Sequence, residues 1–424
     1  MTLSNPSRNK WRVISVVMWA FCAGLSDGAP GALLPSIEAY YNISYLVVSL
    51  IWLANACGYI IIALMSHKLE DFLGKRKMTA GGCLYQCIMF ALISPGSKYP
   101  LVVLGFFFGG LGFATCLSQQ NIFLSRFKYS SRYLGYYHGG YGTGACIGPV
   151  ICTAMVNSGI SWHYYYLILL GCTGVNFFNQ WFAFEGADED LKPWDTYDPN
   201  SVGPSGTAAN ISTEYTEPVI PKGILNLALK NSKTWLLSFF VLFYQGAEVA
   251  LGGWIVTYLE AYRDANASST GYVASGFWGG LALGRLVLTT LIHKYIGAKR
   301  GVWVMLMCSI TTALLSWVVP NAIVESVLVS LCGLSIGPIY PLMITIAVRV
   351  LPRKIQVVSL TIMTAFGSSG GALFPFLVGL VSQFRGAFVV MPFAIALLSG
   401  TATIWYILPN PDRGVINRFY ERIW

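Results

Sequence analysis

Charge is scarce in this chain. Only 11% of its 424 residues are Asp, Glu, Lys or Arg, against about 25% in a soluble globular protein. A water-facing surface is not built at that density. Histidine is scarce too, with four residues, and no His, Cys, Asp or Glu cluster shows metal-ligand spacing. No metal and no other cofactor is expected. No nucleophile triad appears, and the Gly-rich stretch GGYGTGACIGP lacks the strand, loop and Lys-Ser/Thr ending of a phosphate loop. An enzyme is therefore not expected. The ten Cys lie in apolar stretches or at their edges, which suits small packing residues rather than disulfides. No small-residue cleavage site follows the first apolar run, so a cleaved signal peptide is not expected.

Hydrophobic residues are abundant, at 55% of the chain. Apolar runs of roughly 20 residues recur, each long enough to cross ~30 Å of hydrocarbon. Twelve are found, at 12–36, 44–66, 78–94, 100–124, 133–156, 161–184, 234–259, 270–292, 302–319, 323–350, 356–382 and 387–408; they are called spans 1 to 12 below. The net charge of +9 is distributed as in a membrane protein rather than a nucleic-acid binder. Of 27 Lys and Arg, 23 fall in the termini or in alternate loops, and the opposite loops hold Lys98, Arg263 and Arg385. This positive-inside pattern places both termini in the cytosol. The remaining one, Arg285, lies within span 8.

Residues 185–232 break the pattern. They are polar, acidic and rich in Pro, Gly, Ser and Thr, so a cytosolic linker with little fixed structure is expected. It separates a six-helix bundle at 1–184 from another at 233–424. The halves look like copies. Glu38-Ala-Tyr after span 1 matches Glu260-Ala-Tyr after span 7. Gly144-x-x-x-x-Pro149 in span 5 matches Gly370-x-x-x-x-Pro375 in span 11. LEDFLGKRK after span 2 matches HKYIGAKRG after span 8.

Two acids stand inside apolar runs, Asp27 in span 1 and Glu248 in span 7. Asp27 is 11 residues before Glu38 and Glu248 is 12 before Glu260, so the two are repeat-equivalent to within one position. A carboxylate near a bilayer midplane costs at least ~2.5–3.5 kcal/mol, and proton coupling or a polar substrate are the leading uses for one. The first LEDFLGKRK loop contains Asp71-x-x-Gly74-Lys75-Arg76-Lys77. Gly74 permits a tight turn, and Asp71 suits a helix N-terminus, where partial positive charge collects. The second copy has Lys294 where the acid would stand.

The Asp71–Lys77 segment resembles the loop signature of the major facilitator superfamily, with Phe72 in place of the usual basic residue. The resemblance implies an all-α membrane fold of twelve helices in two pseudo-symmetric six-helix bundles, with a substrate site near the midplane between them. It also implies that Asp71, Gly74, Lys75 and Arg76 form a gating loop whose acid latches on span 11 in the outward-open state, and that Arg285 serves inter-helix packing near that loop. GLSDGAPGALLPSIEAYYNISY in span 1, FYQGAEVALGGWIVTYL in span 7 and GLSIGPIYPLMI in span 10 resemble the fucose–galactose–glucose:proton symporter family and its fungal bypass-of-stop-codon-type relatives. By that resemblance Asp27 matches the span 1 acid implicated in proton coupling in the fucose branch, and Glu248 matches an acid in the span 7 motif of the glucose-type branch; both are expected to serve proton coupling. The span 4 glutamate of the fucose branch is missing; Gln119, Gln120 and Asn121 follow its place.

Each candidate has a plainer reading beside the functional one. Asp27, flanked by Gly24, Gly28, Gly31, Pro30 and Pro35, either takes up and releases a proton or bonds backbone where the helix breaks at Pro30. Tyr244, Gln245 and Glu248 share a helix face, which either binds substrate hydroxyls or clamps the halves together. Gln119, Gln120 and Asn121 offer amides to sugar hydroxyls or glue helices, and at most two of them face one way. His138 with Tyr141 relays protons or is structural. Arg285 pairs with Asp27, Glu248 or an anionic substrate, or it packs. Trp254, Trp278 and Tyr340 stack on a sugar face, or face lipid and core.

The expected function is secondary transport by alternating access, proton-coupled, of a sugar or related polar molecule. The alternatives are a proton-antiport exporter of a small organic metabolite and a non-transporting nutrient sensor. The expected partners are a small-molecule substrate, protons and the lipid bilayer, with no nucleic acid, and the chain is expected to act as a monomer. The plasma membrane is the expected location and a vacuolar or other organelle membrane the alternative.

Overall fold

The computed structural model describes residues 1–195 and 224–411. The described residues are helical and include no strand. In hydrocarbon only intra-segment hydrogen bonding satisfies the backbone of a long apolar run, and the helices fall where the runs lie. Ten helical segments are long and apolar enough to cross a membrane. The part of Leu50–Ile93 after Gly74 and the helix Tyr165–Ala183 complete the twelve.

Four spans depart from simple rods. Spans 2 and 3, expected as separate helices, merge into Leu50–Ile93 across a kink at Gly74, whose φ of 76° and ψ of 166° are not helical. Span 8 runs from Ala267–Leu283 through a π turn at Gly284–Leu288 into Thr289–Tyr295. Span 10 divides into Ala322–Ile336 and Ile339–Val350 around Gly337-Pro338. Span 1 is unbroken: Asn9–Tyr41 contains both Pro30 and Pro35. Neighbouring helices re-satisfy backbone groups that a buried proline frees, so a break at Pro30 is not needed.

The internal repeat is visible in the packing. A Cβ on Gly144 would strike the carbonyl of Phe21, and one on Gly370 the carbonyl of Leu242. Phe21 lies six residues before Asp27 and Leu242 six before Glu248, so spans 1 and 5 touch as spans 7 and 11 do. Both charged loops also share one device. Gly74 and Gly297 each have positive φ, at 76° and 89°. Two residues on, Arg76 donates to the carbonyl of Trp181 at 2.9 Å and lies 4.3 Å from its ring centroid. In the second half Lys299 donates to the carbonyls of Trp405 and Leu408 and lies 4.3 Å from the Trp405 ring centroid. A cation thus caps the last turn of spans 6 and 12, where backbone carbonyls lack partners.

The segment after span 6 is more ordered than its composition suggests. Short helices form at Ala187–Asp190, Lys192–Asp195 and Ile224–Lys230. Asp190 pairs with Arg12 at 2.7 Å and Glu185 with Arg8 at 2.6 Å. The hydrogen bond and charge of Arg8 hold the exposed Glu185 carboxyl below the usual carboxylate range. The acids nearest span 6 therefore moor to Arg8 and Arg12 at the start of the first helix; residues 196–223 of the expected linker lie outside the described residues.

Candidate functional site

Contacts between the halves gather at the end carrying Tyr41 and Arg263, remote from the basic loops. A Cβ on Gly31 of span 1 would strike the carbonyl of Gly252 on span 7. Trp254 packs against Trp52, tilted at a centroid distance of 5.5 Å, and meets Tyr45 edge-on at 5.9 Å, and its indole N–H donates to the Pro375 carbonyl at 2.9 Å. Gly379 lies on Ser49 and Trp254, and Thr153 on Gly271. Asn157 donates to the Ser268 carbonyl at 2.7 Å. That end is closed. Asp27 and His138 are nevertheless exposed, and Asp27 stands near the middle of its helix. Solvent therefore reaches them from the basic end, through a cavity between the halves.

Two intramembrane carboxylates, one from each half, are each held by a side chain of a neighbouring span. Asp27 Oδ2 accepts from the Tyr141 hydroxyl at 2.7 Å. The bond crosses from span 1 to span 5, where Gly24 and Gly28 let span 1 approach the carbonyls of Tyr141 and Ala145. Asp27 thus bonds a side chain rather than backbone. Glu248 is buried and accepts two hydrogen bonds from Arg285 Nη2, at 2.9 and 2.8 Å. Arg285 stands on the π turn of span 8, a helix irregularity that gathers at functional sites. Of the two readings of Arg285, the structure displays the pairing with Glu248.

Tyrosines knit the two acids into one cluster. Tyr141 is within electrostatic reach of Asp27, Glu248 and Arg285. Tyr244 lies one turn before Glu248, beside the same pair, and its ring stacks on Tyr340 at 6.1 Å. Tyr340 and His138 lie in the neighbourhood of Arg285. The cluster draws on spans 1, 5, 7, 8 and 10, and so on both halves.

Other candidates lie elsewhere. Gln119 is buried and donates to Glu70 at 2.8 Å, and Glu70 also faces Lys75 at 3.6 Å, so this amide belongs to the charged loop. Gln120 is fully buried, and among the described residues neither of its amide atoms has a hydrogen-bond partner. Asn121 is half-buried. Gln245 lies against Gly371 of span 11. Trp254 belongs to the closed end, and Trp278 is buried over Gly252. Asp71 is exposed, and Gln356 gives its amide to the Val348 carbonyl at 2.6 Å. The acid that takes the Lys75 backbone N–H, at 2.7 Å, is Asp188, whose carboxylate also lies against Gly74. Asp188 and Glu70 were not singled out from sequence; no local spacing rule connects residues 113 and 49 positions away from their partners.

Comparison with known proteins agrees with this architecture. The family model described as Major Facilitator Superfamily matches residues 16–375. A yeast protein, Bypass of stop codon protein 6 of Saccharomyces cerevisiae (strain ATCC 204508 / S288c), is 28% identical over 426 residues, covering 96% of this chain and 84% of that protein. Among solved structures, a bacterial homolog of the human lysosomal transporter Spinster, inward-facing and unoccupied, superposes with a TM-score of 0.74 at 12% identity, covering 96% of this chain and 97% of that one. The E. coli fucose:proton symporter superposes with a TM-score of 0.61 at 15% identity, covering 94% and 98%. With its twelve-helix fold, its duplicated halves and a family match over most of its length, the chain belongs to the Major Facilitator Superfamily and is an integral, multi-pass membrane transporter.

Proposed function

We propose that this transporter couples proton movement to the passage of a sugar or related polar molecule by alternating access. One observation carries the reading: acids from opposite halves, Asp27 on Tyr141 and Glu248 on Arg285, belong to one side-chain cluster. With both acids ionised, Asp27, Glu248 and Arg285 sum to one negative charge. A net charge in a low-dielectric site resists dehydration, so a proton on either acid neutralises the cluster and favours its closure from water. The tyrosine hydroxyls donate and accept as sugar hydroxyls require. The resemblance to sugar:proton symporters and the fold shared with the fucose:proton symporter support the same substrate class.

The halves at 1–184 and 233–424 are the rocking units. Separation of Gly31 from Gly252 and of Trp52 from Trp254 opens the far end. The positive-inside pattern of the basic loops supports a cytosolic open end and cytosolic termini, and the plasma membrane is the proposed location. The test is uptake of a labelled sugar panel into proteoliposomes with and without an imposed pH gradient. Asp27→Asn is expected to abolish gradient-driven accumulation while exchange across the membrane survives. Full accumulation in that variant removes Asp27 from the proton route, and no uptake of any panel member by the unmodified protein overturns the reading.

A further inference from the structure

We propose that the transported molecule bears a carboxylate, which replaces Glu248 on Arg285 as Glu248 takes up a proton. This rests on the proton-coupled reading above and narrows its substrate from a neutral sugar to a polyhydroxylated acid. The geometry of the guanidinium carries it. Both hydrogen bonds to Glu248 leave from Nη2. The Tyr244 hydroxyl also lies beside the guanidinium, and the side chain keeps 22% of its surface exposed although it sits deep between the halves. A carboxylate that takes the place of Glu248 meets Nη2 together with Nε or Nη1, the donor pairs through which a guanidinium makes two parallel hydrogen bonds.

Exchange of one carboxylate for another avoids the chief cost of opening the site. Breaking a buried ion pair by removing one partner leaves a strongly destabilising, uncompensated charge. A neutral sugar that displaced Glu248 would leave Arg285 in that state. An incoming carboxylate does not, provided Glu248 leaves protonated. The groups facing Glu248 agree with this. Arg285 comes from span 8, Tyr244 from its own helix, Tyr141 from span 5 and Tyr340 from span 10, with Asp27 of span 1 beyond Tyr141 and His138 toward Arg285. Arg285 is the one charged partner in that set that a carboxylate substrate can take. Charge also selects against a phosphate ester. With protons on both Asp27 and Glu248, Arg285 balances one monoanion; a dianion would leave a net negative site.

Gluconate, glucose and glucose 6-phosphate serve as probes in proteoliposome exchange and in binding to the purified full chain. Gluconate is expected to bind and exchange at least about tenfold better than either competitor. Arg285→Gln alone strands Glu248 and risks the fold, so the double variant Glu248→Gln/Arg285→Gln removes both charges together. In it the preference for gluconate over glucose is expected to collapse, with a monodisperse, cooperatively melting protein. Glu248→Gln alone mimics the protonated acid; gluconate binding is expected to survive and to lose its dependence on pH through Glu248. Glucose exchange with gluconate excluded overturns the carboxylate proposal and leaves the proton-coupled reading standing. A double variant that still prefers gluconate also overturns it. Failure of all three probes to move, with or without a pH gradient, overturns both.

Discussion

Gln120 shows what a single residue in span 4 costs. It is fully buried, and both amide atoms lack partners among the described residues. An unsatisfied buried amide costs about 1–3 kcal/mol, and an apolar residue of similar volume removes that cost. Gln120→Leu is therefore expected to raise the melting temperature in detergent by about 2 °C and to leave substrate affinity unchanged; a loss of affinity would show that the amide meets the substrate. The three consecutive amides were legible as a polar run whose members point different ways. Their destinations were not. Gln119 finds Glu70 at 49 residues' separation and Glu248 finds Arg285 at 37, and such partners are set by helix packing rather than by spacing. Asp27 and Glu248 themselves stood out because hydrocarbon penalises an acid whatever surrounds it.

At the scale of elements, glycine decides which helices touch. Gly31 and Gly252 bring spans 1 and 7 together at the closed end, with no room for a Cβ on Gly31 against the Gly252 carbonyl. Gly31→Val is expected to leave each bundle folded and to keep the far end from closing. Ser49, fully buried there under Gly379, is a suitable reporter. In a background without the ten native cysteines, Cys at position 49 should resist an impermeant maleimide and become at least about tenfold more reactive beside Gly31→Val. Equal reactivity would show that this approach does not hold the end shut. The repeat marks Gly144–Pro149 and Gly370–Pro375 were legible because the same close approach is made twice. The kink at Gly74, the π turn under Arg285 and the continuity of span 1 through Pro30 were not, because neighbouring helices, and not local propensity, settle how an irregular turn is satisfied.

The whole molecule presents a basic end and a far end nearly free of cations, and this asymmetry was fully legible. Cys introduced near Lys98 or Asp264 is expected to react with impermeant reagents from outside intact cells, and Cys at Lys75 or Lys192 only after permeabilisation. The reverse labelling would invert the molecule in the membrane. Order after span 6 was less legible, since its acids read as linker composition until Arg8, Arg12 and the Lys75 backbone N–H were seen to claim Glu185, Asp190 and Asp188. The twin caps, Arg76 on Trp181 and Lys299 on Trp405, mean that neither half borrows from the other to finish its basic end. Each half carries its own fastener, so covalent continuity becomes a convenience of synthesis rather than a condition of assembly. Two polypeptides, one ending at residue 195 and one starting at 224, are expected to co-purify when expressed together and to restore transport. A first half that captures no second half would place the missing adhesion in the chain between them.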